Sequence, residues 1–417
     1  MSGNINISVI VTVYNIEKYI GECLDSILSQ EGVSFEVICV NDASTDGSYN
    51  ILLEYERKDS RVKIINSRKN EGLSSSRNKG IYIAKGEYLY NIDGDDVLVP
   101  GALSTMHAYM MENKLDLLGF SAESFCNDKI LAKEYEYSND EYKRKKMCGN
   151  VMTGKELFTF LYEENQPATS NMCLYCIKTS FFKSNDLYDI DGLRYVDDSM
   201  FLKYMCAQRA MCVKDVLYKR RYRNGSAVMS PMKKIYLECM VVLFTEEYSF
   251  WHKMKCTEHE NNVISQYFLQ RIKEIDDMSY LFLNDHSEMK YLDKHRDAKF
   301  LYEYVIRNKM LYADNMSQQE LQKVLNAEQL VVYGAGYYAE KFTDILENYH
   351  KYNYNVVTTC QTSKAYLKGH EVYDVSENKN LLENALVVVA VSGKYMSEIQ
   401  DVLNTLNTKE IIWFCKS

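Results

Sequence analysis

Apolar and polar positions along the first 125 residues alternate between two periods. Ile7–Val13 is a run of apolar and β-branched residues, the pattern of a strand buried on both faces. Tyr19, Ile20, Cys23, Leu24, Ile27 and Leu28 then recur at helical spacing. Phe35–Val40 predicts a second strand. Asn41–Ser48 predicts a turn and helix start rich in N-cap residues, and Ile51, Leu52 and Tyr55 supply that helix with an apolar face. Val62–Ile65 reads as a third strand, Leu73–Ala84 as a helix and Glu87–Ile92 as a fourth strand. Short connections between strands and helices imply a mostly parallel sheet covered on both faces. Ligands of such sheets sit beyond the carboxyl ends of the strands. That rule gathers Tyr14-Asn15, Asn41–Asp46 and Asp93–Asp96 at one rim.

The pattern loosens afterwards. Leu115–Phe125 and Met172–Ile177 read as strands, Asp197–Ala207 as a helix, and Asp215–Arg223 as a strand or loop dense in basic groups. From about 232 to 325 the chain is charged and almost free of Gly and Pro, with apolar residues such as Val263, Tyr267, Phe268 and Ile272 at three- and four-residue intervals, which predicts helices. Leu330-Val-Val-Tyr-Gly-Ala-Gly336 starts a new strand and glycine turn. A helix to Leu346 and strands at Val356–Thr359, Leu386–Val391 and Glu410–Phe414 complete a small second α/β unit. The expected division is 1–230, 231–325 and 326–417.

Composition narrows the classes. A chain of 417 residues with 46% hydrophobic content can bury full cores in two or three domains. A net charge of −9 argues against a nucleic-acid binder. Met1–Ile20 carries no charged-then-apolar leader, and no apolar run reaches the roughly eighteen residues of a spanning helix, so the expectation is a cytoplasmic protein, soluble or peripheral to the membrane. The twelve cysteines lack secreted-domain spacing and read as thiols; Cys173-Leu-Tyr-Cys176 reads as packing in an apolar stretch. Lys143-Arg-Lys-Lys146 reads first as a solvated loop and second as a contact for anionic lipid headgroups at the inner membrane face.

The chemistry concentrates in Asn91-Ile-Asp-Gly-Asp-Asp96, at the end of the fourth strand. Burying Asp93, Asp95 and Asp96 together is costly without a cation. Mg²⁺ and its relatives favour one or two carboxylates plus substrate phosphates. An acidic turn is the plainer alternative, since Asp and Gly both favour turns.

Read in order, the motifs resemble those of the family 2 glycosyltransferases, inverting enzymes of the GT-A fold. Ile7-Ser-Val-Ile-Val-Thr-Val-Tyr-Asn15 is similar to the family's opening strand, with Val13 where proline is usual. Asn41-Asp-Ala-Ser-Thr-Asp-Gly-Ser48 is similar to D-G-S-x-D-G-S, with Ala43 in place of glycine. Asn70-Glu-Gly-Leu-Ser-Ser-Ser-Arg-Asn78 is similar to N-x-G-x-x-x-A-R-N, and Asp93-Gly-Asp-Asp96 to D-x-D-D. Tyr195-Val-Asp-Asp198 resembles the E-D motif that carries the base, with Asp197 replacing glutamate, and Arg221, Arg223 and Ser226 resemble the closing Y-R-x-R-x-x-S stretch. The expected fold class is therefore α/β: a GT-A domain with a Rossmann-like mixed sheet, a helical middle segment and a small C-terminal Rossmann-like domain.

The resemblance implies roles. Asp95 is the first choice of metal ligand for Mn²⁺ or Mg²⁺; Asp93 is a ribose or metal neighbour, and Asp96 a supporting group or further ligand. Asp198 is the base for an acceptor hydroxyl, with Asp197 as neighbour or substitute; both also suit a helix start. Asp42 accepts from a pyrimidine N–H, or else forms an Asx turn. Tyr14 or Asn15 flanks the base of the nucleotide, with packing as the equal alternative for Tyr14. Arg77 serves the diphosphate side or a structural ion pair. Arg221 and Arg223 clamp the diphosphate, with Ser226 beside them, or form a solvated basic strip with Lys219 and Arg220. The partners implied are a nucleoside diphosphate sugar, UDP by resemblance, and a hydroxyl of a bacterial surface glycan or lipid-linked acceptor. A catalytically idle nucleotide-binding scaffold is the alternative from another class. A nucleotidyltransferase would want a glycine-rich basic loop where Tyr14-Asn-Ile-Glu-Lys18 stands.

Gly334-Ala-Gly-Tyr-Tyr-Ala339 fits G-x-G-x-x-A after a strand, and Gly334 and Gly336 are the candidate nucleotide loop there. The acidic residue expected after the next strand is missing; Gln361 and Thr362 stand there instead, which argues against NAD. Docking of the acceptor or self-association of the protein fits this domain as well as catalysis does.

Overall fold

The structure, a computed structural model, describes residues 5–127, 142–146, 148–164, 171–194, 199–223, 233–279, 292–299, 301–302, 318–348, 351–359, 366–391 and 395–414. The chain forms two compact units: Met1–Arg271 with Asp285–Lys299, and Ile272–Asn284 with Phe300–Ser417.

Nine strands build the sheet of the first unit: β1 (Ile7–Val13), β2 (Phe35–Asn41), β3 (Val62–Asn66), β4 (Tyr88–Asp93), β5 (Val97–Leu98), β6 (Leu117–Phe125), β7 (Cys148–Met152), β8 (Tyr175–Lys178) and β9 (Ala210–Arg221). Their order is β3-β2-β1-β4-β8-β6-β9-β5, with β7 also on β9. The β3-β2-β1-β4 half is parallel, as the alternating pattern predicts. Beyond β4 the sheet turns mixed: β8 runs antiparallel to both β4 and β6, while β6 and β9 are parallel. β1 and β2 bury side chains on both faces because helices cover both sides.

Several predicted elements shift. Met172–Leu174 is a 3₁₀ turn, and the strand begins only at Tyr175. The Asn171 side chain accepts from the Cys173 amide and winds that segment into a turn. Cys173 and Cys176 are both buried in that apolar stretch. Asp215–Arg221 forms the second half of a twelve-residue strand, β9, and Tyr222 and Arg223 follow it. The helix expected from Asp197 is described as Met200–Cys206.

Helices Lys234–Trp251 and Glu258–Ser279 follow the predicted periodicity. Within the first unit, Phe268 stacks on Trp251 and meets Phe201 edge to face, and Tyr267 stacks on Phe201 at 5.4 Å. Phe158 joins the same cluster. Aromatic pairs of this kind hold helix Met200–Cys206 through Phe201. In the basic segment Lys143–Lys146, Arg144 is buried against Tyr175, Lys143 pairs with Glu123 and Lys146 with Glu164. A loop engaged with its own protein describes these residues.

The second unit carries strands β10 (Leu330–Tyr333), β11 (Asn355–Thr358), β12 (Tyr366–Leu367), β13 (His370–Asp374), β14 (Leu386–Val389) and β15 (Glu410–Trp413), in the order β12-β13-β11-β10-β14-β15. All pairings are parallel except the β12–β13 hairpin. One face buries Val332, Phe342 and Phe414 and the other Tyr333, Val357 and Leu403, a Rossmann-like layering. Among the described residues no helix is long and apolar enough to cross a membrane.

Candidate active site

The parallel register places Thr12 of β1 beside Asp93 of β4, and Val13 beside Asn41 of β2. The three segments expected at one rim therefore meet there, about two strand spacings across, on the order of 10 Å.

The loops after β1 and β2 are tied by their own polar side chains. Asn15 Oδ1 accepts from the Thr45 amide at 2.7 Å, and the Asn15 amide donates to Ser44 Oγ at 3.1 Å. The Ile16 amide donates to Ser48 Oγ at 2.9 Å, the Glu17 amide to Asp46 Oδ2 at 3.0 Å, and the Gly47 amide to Glu17 Oε2 at 2.6 Å. Asn15 and Ala43 hold positive φ, 53° and 57°. At Ala43 the left-handed backbone that suits glycine persists with a methyl group on it. Tyr14 stands exposed on this rim.

Asp42 is buried; its two carboxylate oxygens accept from the Glu71 and Gly72 amides, each at 2.9 Å. It secures the turn into helix Leu73–Ile83. That helix carries Arg77, almost fully buried, whose Nη2 lies 3.6 Å from Asp93 Oδ1. Thr12 Oγ1 donates to the same Asp93 oxygen at 3.3 Å. Asp93 remains half-buried, facing the rim.

Gly94 follows because nothing larger fits: a Cβ there would lie 2.6 Å from Ile16 Cδ1 and 2.9 Å from the Thr12 carbonyl. The two-residue strand β5 then pairs with β9, Val97 beside Lys219 and Leu98 beside Tyr218. This short pairing carries the basic end of β9 onto the acidic turn. Arg223 Nε lies 2.6 Å from Asp95 Oδ2, with both side chains mostly buried. Arg221 donates from Nε to the Asp95 carbonyl at 2.7 Å and from Nη2 to Glu22 Oε2 at 2.6 Å, and its guanidinium lies over the rings of Phe125 and Tyr19. Asp96 turns inward, accepting from the Tyr218 hydroxyl and from the Arg221 amide at 2.6 Å.

Burial raises the carboxyl pKa of Asp95, the Arg223 charge opposes this, and the Asp93 charge adds to the rise. Asp96 is pushed well up by burial and then by the charges of Asp95 and Asp93. Burial, more than the neighbouring charges, is thus what raises both carboxyls.

A buried ion pair flanks the site that the sequence reading missed. Lys203 Nζ meets Asp189 Oδ1 at 2.9 Å, both side chains at most 2% exposed. Burial works against the Asp189 charge, yet Lys203 and Arg77 outweigh it and hold the carboxyl below its ordinary pKa. The loop bearing Asp189 is stitched to helix Leu73–Ile83: Asn78 Nδ2 donates to the Asp189 carbonyl at 2.7 Å, and the Gly192 amide donates to Ser75 Oγ at 2.8 Å. The one signal in the sequence is Lys203 itself, a charge set in the apolar stripe Met200, Phe201, Tyr204. Glu22 and Tyr218 were likewise missed. Asp197, Asp198 and Ser226 lie outside the described residues.

Comparison with known proteins bears on this architecture. Residues 8–164 match the family described as glycosyl transferase family 2. An uncharacterised glycosyltransferase of Methanocaldococcus jannaschii is 30% identical over 234 residues, spanning 55% of this chain and 74% of that protein. The chain belongs to glycosyltransferase family 2. It is also 41% identical over 114 residues to the poly(ribitol-phosphate) beta-glucosyltransferase of Bacillus spizizenii, 27% of this chain and 18% of that one. Among solved structures, S. aureus TarS 1–349 in complex with UDP-GlcNAc aligns with a TM-score of 0.56 at 21% identity, over 83% of this chain and 89% of that one, a likeness of fold.

The donor set of this glycosyltransferase fits a hard divalent cation. Asp93, half-buried at the rim, and Asp95, paired with Arg223, supply carboxylate oxygens there. Among the described residues no three His, Cys, Asp or Glu side chains form a cage.

In the second unit, Gly334 has φ 130°, and a Cβ there would lie 2.6 Å from the Ala390 carbonyl, whereas Gly336 has open space. Close approach of β10 to the end of β14 accounts for the first glycine. Gln361 and Thr362 lie outside the described residues. Thr358, the last residue of β11, has no acidic side chain, although Asp374 stands beside it in register, where its carboxylate accepts from Ser376.

Proposed function

We propose that this glycosyltransferase moves a hexosyl or N-acetylhexosaminyl group from a nucleoside diphosphate sugar, a UDP-sugar first, to a hydroxyl of a bacterial surface glycan or lipid-linked acceptor, with inversion and with a divalent cation. The observation that carries this reading is the juxtaposition of Asp93 and Asp95 with Arg223 at the rim where the β1, β2 and β4 ends meet. The UDP-GlcNAc bound by TarS supports the donor class, and the poly(ribitol-phosphate) glucosyltransferase of Bacillus spizizenii supports a surface polymer as acceptor.

Asp93 and Asp95 hold the cation, which when bound supplies Lewis-acid neutralisation of the diphosphate. Arg223 adds a guanidinium whose geometry matches phosphate. Arg221, fixed between Glu22 and the Asp95 carbonyl, keeps the turn in place, and Asp96 holds that turn onto β9. Asp42 and Asn15 set the walls of the nucleotide site, Tyr14 covers the base, and Arg77 orients Asp93. A neutralised diphosphate leaves without a proton donor, so the remaining task is removal of the acceptor proton, assigned to Asp198 with Asp197 beside it. Ser226 is assigned to donor binding. Residues 1–230 carry this chemistry in the cytoplasm, and the 326–417 domain serves self-association or acceptor docking.

A panel of nucleotide sugars, scored for Mn²⁺- or Mg²⁺-dependent release of the nucleotide, tests the reading; a UDP-sugar is expected to be hydrolysed slowly and only with metal. Asp198→Asn is expected to cut transfer by about a hundredfold or more while UDP affinity stays unchanged. Full transfer by that variant would remove Asp198 as the base.

A further inference from the structure

A buried ion pair adds little stability, because desolvating two charges offsets most of their attraction. Lys203 and Asp189 form such a pair, at 2.9 Å and at most 2% exposed. The pair is also incomplete as a stabilising device: Asp189 Oδ2 is buried without a hydrogen bond. A buried acceptor left in that state costs stability. Its position beside the donor rim gives the pair another use.

Asp189 is fixed to the turn of helix Leu73–Ile83 that bears Arg77. The Asp189 amide donates to Asn78 Oδ1 at 3.0 Å, and Asn78 Nδ2 donates back to the Asp189 carbonyl at 2.7 Å. Lys203 Nζ also donates to Ser199 Oγ at 3.3 Å, so both charges are anchored. Burial opposes the Asp189 charge, and Lys203 and then Arg77 outweigh it. Arg77 in turn faces Asp93 Oδ1 at 3.6 Å, beyond hydrogen-bond length, although the arginine side chain is only 1% exposed. Lys203, Asp189, Arg77 and Asp93 make a series of alternating sign that ends at the rim.

We propose that Asp189 and Lys203 are positioning residues of the donor site: as an anchored pair they draw on Arg77, hold its guanidinium back from Asp93, and leave Asp93 an oxygen for the divalent ion. The inference rests on the metal reading of Asp93 given above. Arg77 has further contacts as well. Those stay in place when Asp189 is changed, and only the Asp189 share of the pull is lost. Where water is scarce that share is large. Without it the guanidinium settles onto Asp93 and competes with the metal.

Calorimetric titration of UDP with and without Mn²⁺, run beside chemical denaturation, tests this on the full chain. The variants are Asp189→Asn and Asp189→Leu/Lys203→Met, the second of which removes both charges and is expected to recover most of the stability. The quantity read is the factor by which Mn²⁺ strengthens UDP binding. In both variants that factor is expected to fall about tenfold or more, with UDP affinity in the absence of metal unchanged. Either variant decides the question should the other fail to fold. A folded variant that keeps the wild-type factor overturns the positioning role and leaves a purely structural pair, even where its UDP affinity is lower throughout. Wild type separates the two levels. If Mn²⁺ does not strengthen its UDP binding, the metal reading fails and the inference with it; if Mn²⁺ strengthens wild type and variants alike, only the positioning role fails.

Discussion

At the scale of single residues, the acidic and basic groups divide by burial, which sequence does not print. Asp95 and Asp96 are neighbours in the chain, yet one meets Arg223 near the rim and the other turns inward to Tyr218. Asp189 and Lys203 are ordinary charged letters until the fold closes over them. Removing one member of such a pair leaves the other charge buried and alone. Asp189→Asn is therefore expected to destabilise the protein by about 3–5 kcal/mol, with Asp189→Leu/Lys203→Met recovering most of the loss, as measured by chemical denaturation. The pH dependence follows from the lowered Asp189 pKa. A depressed carboxyl contributes its full stability above the unfolded value near 3.9 and loses it as pH falls through the lower folded value. Wild type and Asp189→Asn should thus differ by a constant amount above about pH 5 and converge at strongly acid pH.

At the scale of elements, β1 to β4 are legible because each carries apolar or β-branched residues between turn signals, buried along β1, β2 and most of β4 and part-buried in β3. The glycine departure at Ala43 was visible, and the positive φ there shows that the backbone kept its shape regardless. What escaped were short or irregular pieces. β5 spans only two residues and β7 reads Cys-Gly-Asn-Val-Met, with a glycine and an asparagine at its centre, so their strand character comes from pairing with β9. Yet β5 joins the acidic turn to the basic strand, so a hidden element sets the site. The glycine between Asp93 and Asp95 is the other local constraint. Gly94→Ala is expected to cost about 1–3 kcal/mol through contact with Ile16 and the Thr12 carbonyl, and to weaken metal-dependent UDP binding by displacing Asp95. Normal stability in that variant would show that the turn has slack.

For the whole molecule, family membership covers the first unit's motifs, and the fold of the second unit came from its own strand–glycine–helix pattern. The glycine signature there was readable, but its physical basis was not: Gly334 answers a neighbouring carbonyl. Gly334→Val is expected to destabilise the second unit, seen as a lowered transition in a thermal melt, while donor hydrolysis proceeds at the wild-type rate. Loss of hydrolysis would bring that unit into catalysis.

The central claim is that Asp93 and Asp95 grip a divalent cation that binds together with a nucleoside diphosphate. Calorimetric titration of UDP into wild type and Asp95→Asn, each with and without Mn²⁺, tests it most directly. The account predicts that wild-type affinity falls at least about tenfold without Mn²⁺ and that Asp95→Asn gains nothing from the metal. Equal UDP affinity in all four titrations would contradict it.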